Sequence, residues 1–318
     1  MSSIEKGAEY DMIQSQLEEL ECMERCDSDI LIAELIRNQQ KIKANYELYY
    51  DEKQDQSLID HYYCNVTKDS ADPLILFKEY HNLVTNTHQY RHPYYISKDQ
   101  YLYTWVDLQP NGQLKSIYSG KQKDPQQIIE EDFTIIEKRF NRFQNLIKIQ
   151  RFTDKQIENQ VRRISNQHKF NTEHVVPQSW FRAKEPMKGD LHHLFACEPK
   201  CNSIRSNYPY YEYETNQYLV NVRNNCGKHE MNRFEPAYGK GIVARATLYF
   251  LLRYPKKITR KFKKSIDISL LFRWHEQFKV SDYEKHRNKA IFVIQGNRNP
   301  FIDFPQLMTN ISFPEFQV

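Results

Sequence analysis

Glycine is scarce in this chain, where it accounts for only 8 of 318 residues, against about 7% in an average protein. Glycine is the residue that most readily adopts the left-handed backbone of sharp turns. Its scarcity therefore favours helices over a sandwich of many short strands joined by tight turns. Aromatic residues make up 14% of the chain, and this excludes disorder along its whole length.

Apolar residues recur at helical spacing in several segments. The pattern predicts helices over the following ranges: 8–25, 29–50, 125–149, 241–254, 269–280 and 282–292. The first two are expected to form an acidic helical hairpin that runs into a polar stretch, Asp51 to Asp60. Residues 95–120 are instead rich in aromatic and β-branched residues around a Pro-Asn-Gly turn signal, so we expect two extended segments there.

Charge is unevenly distributed along the chain. Residues 1–60 hold 15 acidic and 6 basic residues, a net charge of −9, and the remainder holds 26 acidic and 39 basic residues, a net charge of +13. A basic body indicates a polyanionic partner. The acidic leader has three interpretations: a solvated helix surface, a cover over the basic body, or a contact for homo-oligomerisation or a regulatory partner.

Neither a membrane span nor a secretory signal is visible in the sequence. No apolar stretch reaches the ~18 residues that a spanning helix needs, and the first residues lack both the basic and the apolar region of a signal peptide. We therefore expect a protein without a membrane partner that stays in the cytoplasm. In that compartment the six cysteines do not predict a disulfide framework.

Residues 168–212 predict a small ββα unit. Alternating and β-branched residues indicate a strand over 170–176 that ends before Pro177. A second short strand is predicted over 191–196, and Pro199 is placed to open a helix. The two strands and the helix would bring side chains from distant positions of this segment together.

Three residues of this unit suit phosphodiester hydrolysis. Glu173 and Asn202 offer a carboxylate and an amide oxygen, the hard ligands that Mg²⁺ prefers beside water and phosphate. His174 offers an imidazole whose pKa lies near working pH, as the base that activates water requires. Because successive strand residues point to opposite faces, Glu173 and His174 can converge on one site only at a strand end or bulge.

Four segments carry a resemblance to a known family: TEHVVPQSWF, MKGDLHHLFACEPKCNSIRSNYPY, GKGIVARATLYFLLRY and IQGNRNPFIDFP. In this order they resemble the endonuclease I family of non-specific nucleases, part of the ββα-metal (His-Me finger) group. We therefore expect an α+β fold, with a ββα-metal catalytic core at about 168–212 inside a mainly helical nuclease domain, 85–318. Residues 1–80 are expected to form a helical N-terminal extension, for which we recognise no counterpart in the family.

The resemblance implies an activity and a role for each residue of the motif. The activity is that of an endonuclease that depends on Mg²⁺, for which Mn²⁺ or Ca²⁺ can substitute. It cuts DNA, with RNA as a second candidate substrate, without sequence preference and leaves 5′-phosphate ends. His174 resembles the general base, Glu173 and Asn202 resemble the metal ligands, and Arg205 contacts phosphate or anchors the helix. Weaker candidates for nucleic-acid contacts are Arg162, Arg163, Arg182, Lys184 and Lys188.

Two other functions remain open from the sequence. One is an RNA-preferring nuclease of the same fold, and the other is a nucleic-acid-binding protein that keeps the fold without hydrolysis. The intact set of Glu173, His174 and Asn202 favours an enzyme over the second alternative.

A cysteine cluster lies within and after the ββα unit. Cys197, Cys201, Cys226 and His229 have the residue types of a structural zinc site. Such a site would tie the helix that carries Asn202 to the segment downstream. Buried free thiols are an equal alternative, and a disulfide is the least expected arrangement.

Overall fold

A computed structural model describes Glu21 and residues 28–66, 72–148, 154–214 and 226–316. The predicted helix over 8–25 therefore lies outside the described residues except for Glu21. Within these ranges no helix is both long enough and apolar enough to cross a membrane.

Helices dominate the described residues, as the low glycine content predicts. They are α1 (Ser28–Ala44), α2 (Tyr46–Tyr49), α3 (Glu52–Tyr62), α4 (Pro73–Thr87), α5 (Tyr94–Ile96), a π-helix (Ser97–Val106), α6 (Pro125–Lys148), α7 (Asp154–Gln167), α8 (Pro199–Arg205), α9 (Lys240–Arg253), α10 (Arg260–Lys263), α11 (Ile268–Gln277), α12 (Asp282–Gln295) and α13 (Pro300–Asp303). Short 3₁₀ helices cover Gln178–Trp180, Leu191–His193 and Pro305–Thr309. The helices predicted over 29–50, 125–149, 241–254, 269–280 and 282–292 are confirmed, the first of them as α1 and α2.

Three antiparallel pairs of short strands accompany the helices in the described ranges. They are β1 (Leu114–Lys115) with β2 (Gln122–Lys123), β3 (Thr172–His174) with β4 (Leu194–Ala196), and β5 (Gly227–Glu230) with β6 (Arg233–Pro236). Helices and small separate sheets together make an α+β fold, as expected.

Helix ends follow the local sequence. The Asp124 side chain accepts the Gln126 backbone N–H at 3.0 Å and so caps α6. Ser281 and Glu284 form a reciprocal capping box at the start of α12. Gly296 ends α12 in a left-handed conformation, and a Cβ there would lie 2.5 Å from the carbonyl oxygen of Thr87. Only glycine allows α12 to end this close to α4.

The expectation of extended structure over 95–120 is wrong for its first half. Ser97–Val106 is a π-helix that buries Leu102, Tyr103 and Val106 completely. Inside it, the buried Lys98 ammonium pairs with Asp99 and with Asp132 of α6. Burial and this ion cluster outweigh the β propensity of the segment. The polar stretch expected from Asp51 to Asp60 is also helical and forms most of α3.

Two hydrophobic clusters pack on either side of the β3–β4 pair. The N-terminal cluster, formed mainly by α1, the π-helix and α6, contains among others Leu35, Leu102, Val106, Ile129 and Phe143. The C-terminal cluster, formed mainly by α4, α9 and α11, contains among others Leu76, Tyr249, Phe250, Leu252 and Trp274. Leu194 and Ala196 join the N-terminal cluster, whereas Phe195 between them joins the C-terminal cluster. Successive side chains of β4 therefore point alternately into the two hydrophobic clusters.

Residues 28–62 belong to the body of the protein. Leu31, Leu35 and Tyr49 are buried in the N-terminal cluster. Removing residues 1–60 as a separable leader would therefore remove core side chains. A role of residues 1–60 in covering the basic body, in oligomerisation or in partner binding stays a prediction, and residues 1–27 of this leader lie outside the described residues apart from Glu21.

A buried ion cluster joins α3 to the C-terminal segment. The Arg298 guanidinium contacts Asp55 at 2.9 Å and Asp303 at 2.7 Å. Tyr63 adds a hydrogen bond of 2.9 Å from its hydroxyl to Asp303. All four side chains are buried or nearly so. Because one cation neutralises two carboxylates, the cluster depends on Arg298.

We expect Arg298→Met to lower the free energy of unfolding by about 3–5 kcal/mol, since it leaves two buried carboxylates without their cation. Urea denaturation followed by circular dichroism measures this change. The matched control is Arg37→Met, because Arg37 makes an exposed ion pair with Glu34 that contributes at most about 1 kcal/mol. Equal stability of the two variants would contradict a structural role for the cluster.

Candidate active site

The predicted site residues lie on β3 and on α8, a helix that contacts β3. Glu173 lies opposite Phe195 and His174 opposite Leu194 in the antiparallel register. His174 is the last residue of β3, so the two side chains sit at a strand end, as the hydrolytic interpretation requires. Asn202 on α8 donates a side-chain hydrogen bond of 2.8 Å to the carbonyl of Thr172, the residue before Glu173.

Glu173 is a buried carboxylate held in a fixed position. Its Oε1 accepts a hydrogen bond of 2.7 Å from the Tyr118 hydroxyl and lies 3.4 Å from Nε of Arg205. Burial raises the pKa of Glu173 to about 7, although Arg205, Tyr118 and Lys169 act in the opposite direction. A buried carboxylate of this kind is stabilised in its charged form by a nearby cation.

His174 has a defined tautomer. Its Nε2 lies 2.9 Å from the carbonyl oxygen of Lys188, which can only accept a hydrogen bond, so Nε2 carries the proton. Its Nδ1 lies 3.1 Å from the side-chain nitrogen of Gln178. Burial, with a smaller contribution from His193, holds the pKa of His174 well below its ordinary value. The ring is therefore neutral near pH 7 and able to accept a proton.

Asn202 and Glu173 form a donor set that suits a hard divalent ion. The Asn202 amide uses its nitrogen on Thr172, which leaves the amide oxygen for a ligand, and hydrogen bonding at Glu173 involves Oε1. Among the described residues, no group of three or more His, Cys, Asp or Glu could hold a metal. Two protein oxygens with water and phosphate complete a Mg²⁺ site without such a group, so these residues fit the ion.

Arg205 has a buried structural position. Its side chain is fully buried, donates a hydrogen bond of 2.7 Å to the carbonyl of Val175, and lies beside Glu173. A guanidinium enclosed in this way ties the end of α8 to β3 and orients the carboxylate. The geometry favours the anchoring role of Arg205 over the phosphate contact.

The other basic candidates differ in their relation to the site. Arg182 and Lys184 are exposed in the loop between β3 and β4, and Arg163 is exposed on α7. Arg162 also lies on α7, and its side chain is outside what the structure describes. Lys188 is half-buried, with Nζ 5.1 Å from the centre of the Tyr94 ring. That ring in turn lies 5.0 Å from the His174 ring, so Lys188 is the candidate joined to the base.

The predicted zinc site is wrong, because the structure pairs Cys201 with Cys226 in a disulfide whose Cα atoms are 5.1 Å apart. A disulfide sulfur is not the thiolate that zinc requires. Cys197 is a buried free thiol, and His229 is exposed and stacks on the Tyr208 ring at 4.8 Å. The disulfide performs the function expected of the metal, since it fastens α8 to β5.

Three functional contacts escaped the sequence interpretation. Tyr118 binds Glu173, Gln178 binds His174, and Tyr94 packs on the His174 ring. Tyr118 and Tyr94 come from segments before the ββα unit, and nothing in their spacing signals the contact. Gln178 lies four residues after His174, but the 3₁₀ turn that directs it back to the ring is a product of the fold.

Comparison with known proteins identifies the family of this chain. The Endonuclease I family model matches residues 78–306. The chain belongs to the endonuclease I family. It is 32% identical over 127 residues to a periplasmic deoxyribonuclease of Aeromonas hydrophila, a match that covers 37% of this chain and 48% of that protein. It is 31% identical over 153 residues to an extracellular ribonuclease of Bacillus subtilis, covering 43% and 52% respectively. The chain spans about half the length of these relatives.

The disulfide generates a stability prediction. Cys226→Ser is expected to lower the free energy of unfolding by about 3 kcal/mol, because a bridge between positions 25 residues apart restricts the unfolded chain. Urea denaturation of the oxidised protein measures the loss, and Cys64→Ser, which removes an exposed free cysteine, is the control. An unchanged stability together with one zinc per chain by metal analysis would restore the zinc hypothesis.

Proposed function

We propose that this protein is a metal-dependent endonuclease of the ββα-metal type that hydrolyses phosphodiester bonds of DNA. The observation that carries the proposal is the position of Glu173 and His174 as neighbours at the end of β3, with Asn202 hydrogen-bonded to the carbonyl of the residue before Glu173. These three groups supply a base and a pair of hard oxygen ligands, the minimum that hydrolysis of a phosphodiester requires. Membership of the endonuclease I family supports the same reaction.

His174 acts as the general base in this proposal. Its ring is neutral, and Nδ1 is the nitrogen that takes the proton of the attacking water. The Lys188 carbonyl, which accepts the Nε2 proton at 2.9 Å, fixes the ring orientation and stabilises the imidazolium that forms. His193, which meets the His174 ring edge to face at 5.5 Å, restricts the ring from another side.

Glu173 and Asn202 hold the ion, with Mg²⁺ as the expected species and Mn²⁺ or Ca²⁺ as substitutes for the same oxygen ligands. When bound, the ion stabilises negative charge on the scissile phosphate and on the leaving 3′ oxygen. Arg205 and Tyr118 hold the Glu173 carboxylate in a fixed orientation. Departure of the 3′ oxygen leaves products with 5′-phosphate ends.

The substrate is proposed to be read through its backbone. Lys188, beside Tyr94 and next to the base, is the basic residue best placed to meet the scissile phosphate. Contacts of this kind carry no base code, which fits an enzyme without sequence preference. The named relatives include both deoxyribonucleases and a ribonuclease, so an RNA-preferring enzyme is the second candidate.

One feature of the structure, the disulfide, bears on the cellular compartment of the protein. Disulfides persist in oxidising environments and are rare in the cytosol. The Cys201–Cys226 bridge therefore weighs against the cytoplasmic location expected from the sequence, and we propose an oxidising compartment as the place of action.

The catalytic proposal predicts that His174→Ala lowers the rate of plasmid cleavage at least ~100-fold, the usual effect of removing a general base. Glu173→Gln and removal of divalent ions by EDTA should each abolish cleavage. The control is His61→Ala, because His61 is exposed on α3. Agarose-gel nicking assays in Mg²⁺ give the rates. Wild-type cleavage by His174→Ala would refute the mechanism, and a wild-type protein that binds DNA without cutting it would favour the non-catalytic alternative.

Substrate preference is tested separately by competition. We expect unlabelled duplex DNA and unlabelled RNA of equal length to inhibit cleavage of a labelled DNA duplex to a similar degree, because both polymers offer the same phosphate groups to basic side chains. Inhibition by RNA at a concentration at least ~10-fold lower would select the RNA-preferring enzyme.

A further inference from the structure

We propose that Gln178 is a latch on the general base: its side-chain amide occupies the position at Nδ1 of His174 that the attacking water must take, and it moves aside when nucleic acid binds. The inference rests on the proposed role of His174 and extends it to how the base is made available. Gln178 would then be a positioning residue that controls entry of the nucleophile.

The His174 ring can offer only one lone pair to an attacking water. Nε2 donates its proton to the carbonyl oxygen of Lys188 at 2.9 Å. In a neutral imidazole the other nitrogen, Nδ1, then carries the single in-plane lone pair of the ring. Any water that is to be deprotonated by this histidine must donate its hydrogen bond to that lone pair.

This lone pair on Nδ1 already accepts a hydrogen bond in the protein. The side-chain nitrogen of Gln178 lies 3.1 Å from Nδ1, a normal distance for an N–H donor. One lone pair accepts one good hydrogen bond, so the amide and the attacking water exclude each other. The base is consequently masked in the protein without nucleic acid.

The Gln178 side chain has more freedom to move than the rings that pack on His174. The rings of Tyr94 and His193, at 5.0 and 5.5 Å from the His174 ring, are buried. Gln178 is half-buried and begins the 3₁₀ helix Gln178–Trp180, while its own carbonyl accepts the Ala183 N–H at 2.8 Å. Its backbone is thus fixed, whereas its side chain has three torsions that can turn the amide outward.

The latch differs from a simple orienting role in the direction of its effect. The Lys188 carbonyl already fixes the ring, so removing Gln178 leaves the orientation in place and removes a competitor of water. A latch therefore predicts faster hydrolysis after its removal. A residue that only orients His174 predicts slower hydrolysis.

The test compares Gln178→Met with the wild-type protein, because methionine has a similar length and no N–H donor. Initial rates on a defined DNA duplex in Mg²⁺ should give Gln178→Met a kcat/KM about two- to tenfold higher than that of the wild-type protein. This factor corresponds to one neutral hydrogen bond, which no longer has to be broken before water reaches Nδ1. Gln56→Met, a change of an exposed glutamine that bonds Asp60 on α3, is the matched control and should leave kcat/KM unchanged. An unchanged or lower kcat/KM for Gln178→Met overturns the latch.

A measurement without catalysis separates failure of the latch from failure of the proposed function. In protein free of nucleic acid, the ¹⁵N resonance of His174 Nδ1 should shift in Gln178→Met, since the lone pair loses its donor, and should stay in place in Gln56→Met. An unshifted resonance overturns the latch whatever the activity. Loss of EDTA-sensitive, His174-dependent cleavage in the wild-type protein would instead overturn the nuclease proposal.

Discussion

The antiparallel pairing of β3 with β4 is the interaction on which the site depends. Only three residue pairs form it, yet the alternation of Leu194, Phe195 and Ala196 fixes it between two hydrophobic clusters. A slip of one residue would turn each of these apolar side chains toward the wrong core. Burial on both faces therefore sets the register, and the register places Glu173 and His174 at the strand end.

The same burial prepares the two groups in opposite ways. Removal from water disfavours charge, so it raises the pKa of Glu173 to about 7 and lowers that of His174. The imidazole is thereby kept neutral, as a base must be. The Glu173 carboxylate has Arg205 as a charged neighbour, and its burial in a low-dielectric environment strengthens its attraction to any further cation. One low-dielectric environment thus suits both the role of base proposed for His174 and the role of ion ligand proposed for Glu173.

Sequence patterns predicted the local parts of this architecture better than the contacts between them. The strand at β3, the helix opened by Pro199 and most long helices follow from alternation, apolar periodicity and caps. The π-helix at Ser97–Val106 does not, because burial of Lys98 against two carboxylates overrides its β-forming residues. The spacing of the cysteines likewise predicted a zinc site. It could not reveal that Cys201 pairs with Cys226, because that pairing depends on how α8 packs against the start of β5. The contacts of Tyr118 and Gln178 with the site arise in the same way, from tertiary packing.

The ion cluster around Arg298 joins two parts of the chain that are synthesised far apart in time. Asp55 lies 243 residues before its partner Arg298, and residues 28–62 pack into a core with segments made much later. At ~5–20 residues per second, the ribosome needs roughly ten seconds or more to deliver that partner. Until then Asp55 and the apolar faces of α1 to α3 have incomplete native contacts. The β3–β4 pair cannot gain its full enclosure before the C-terminal cluster is complete, so a nascent chain would acquire the candidate site among the last features of the fold.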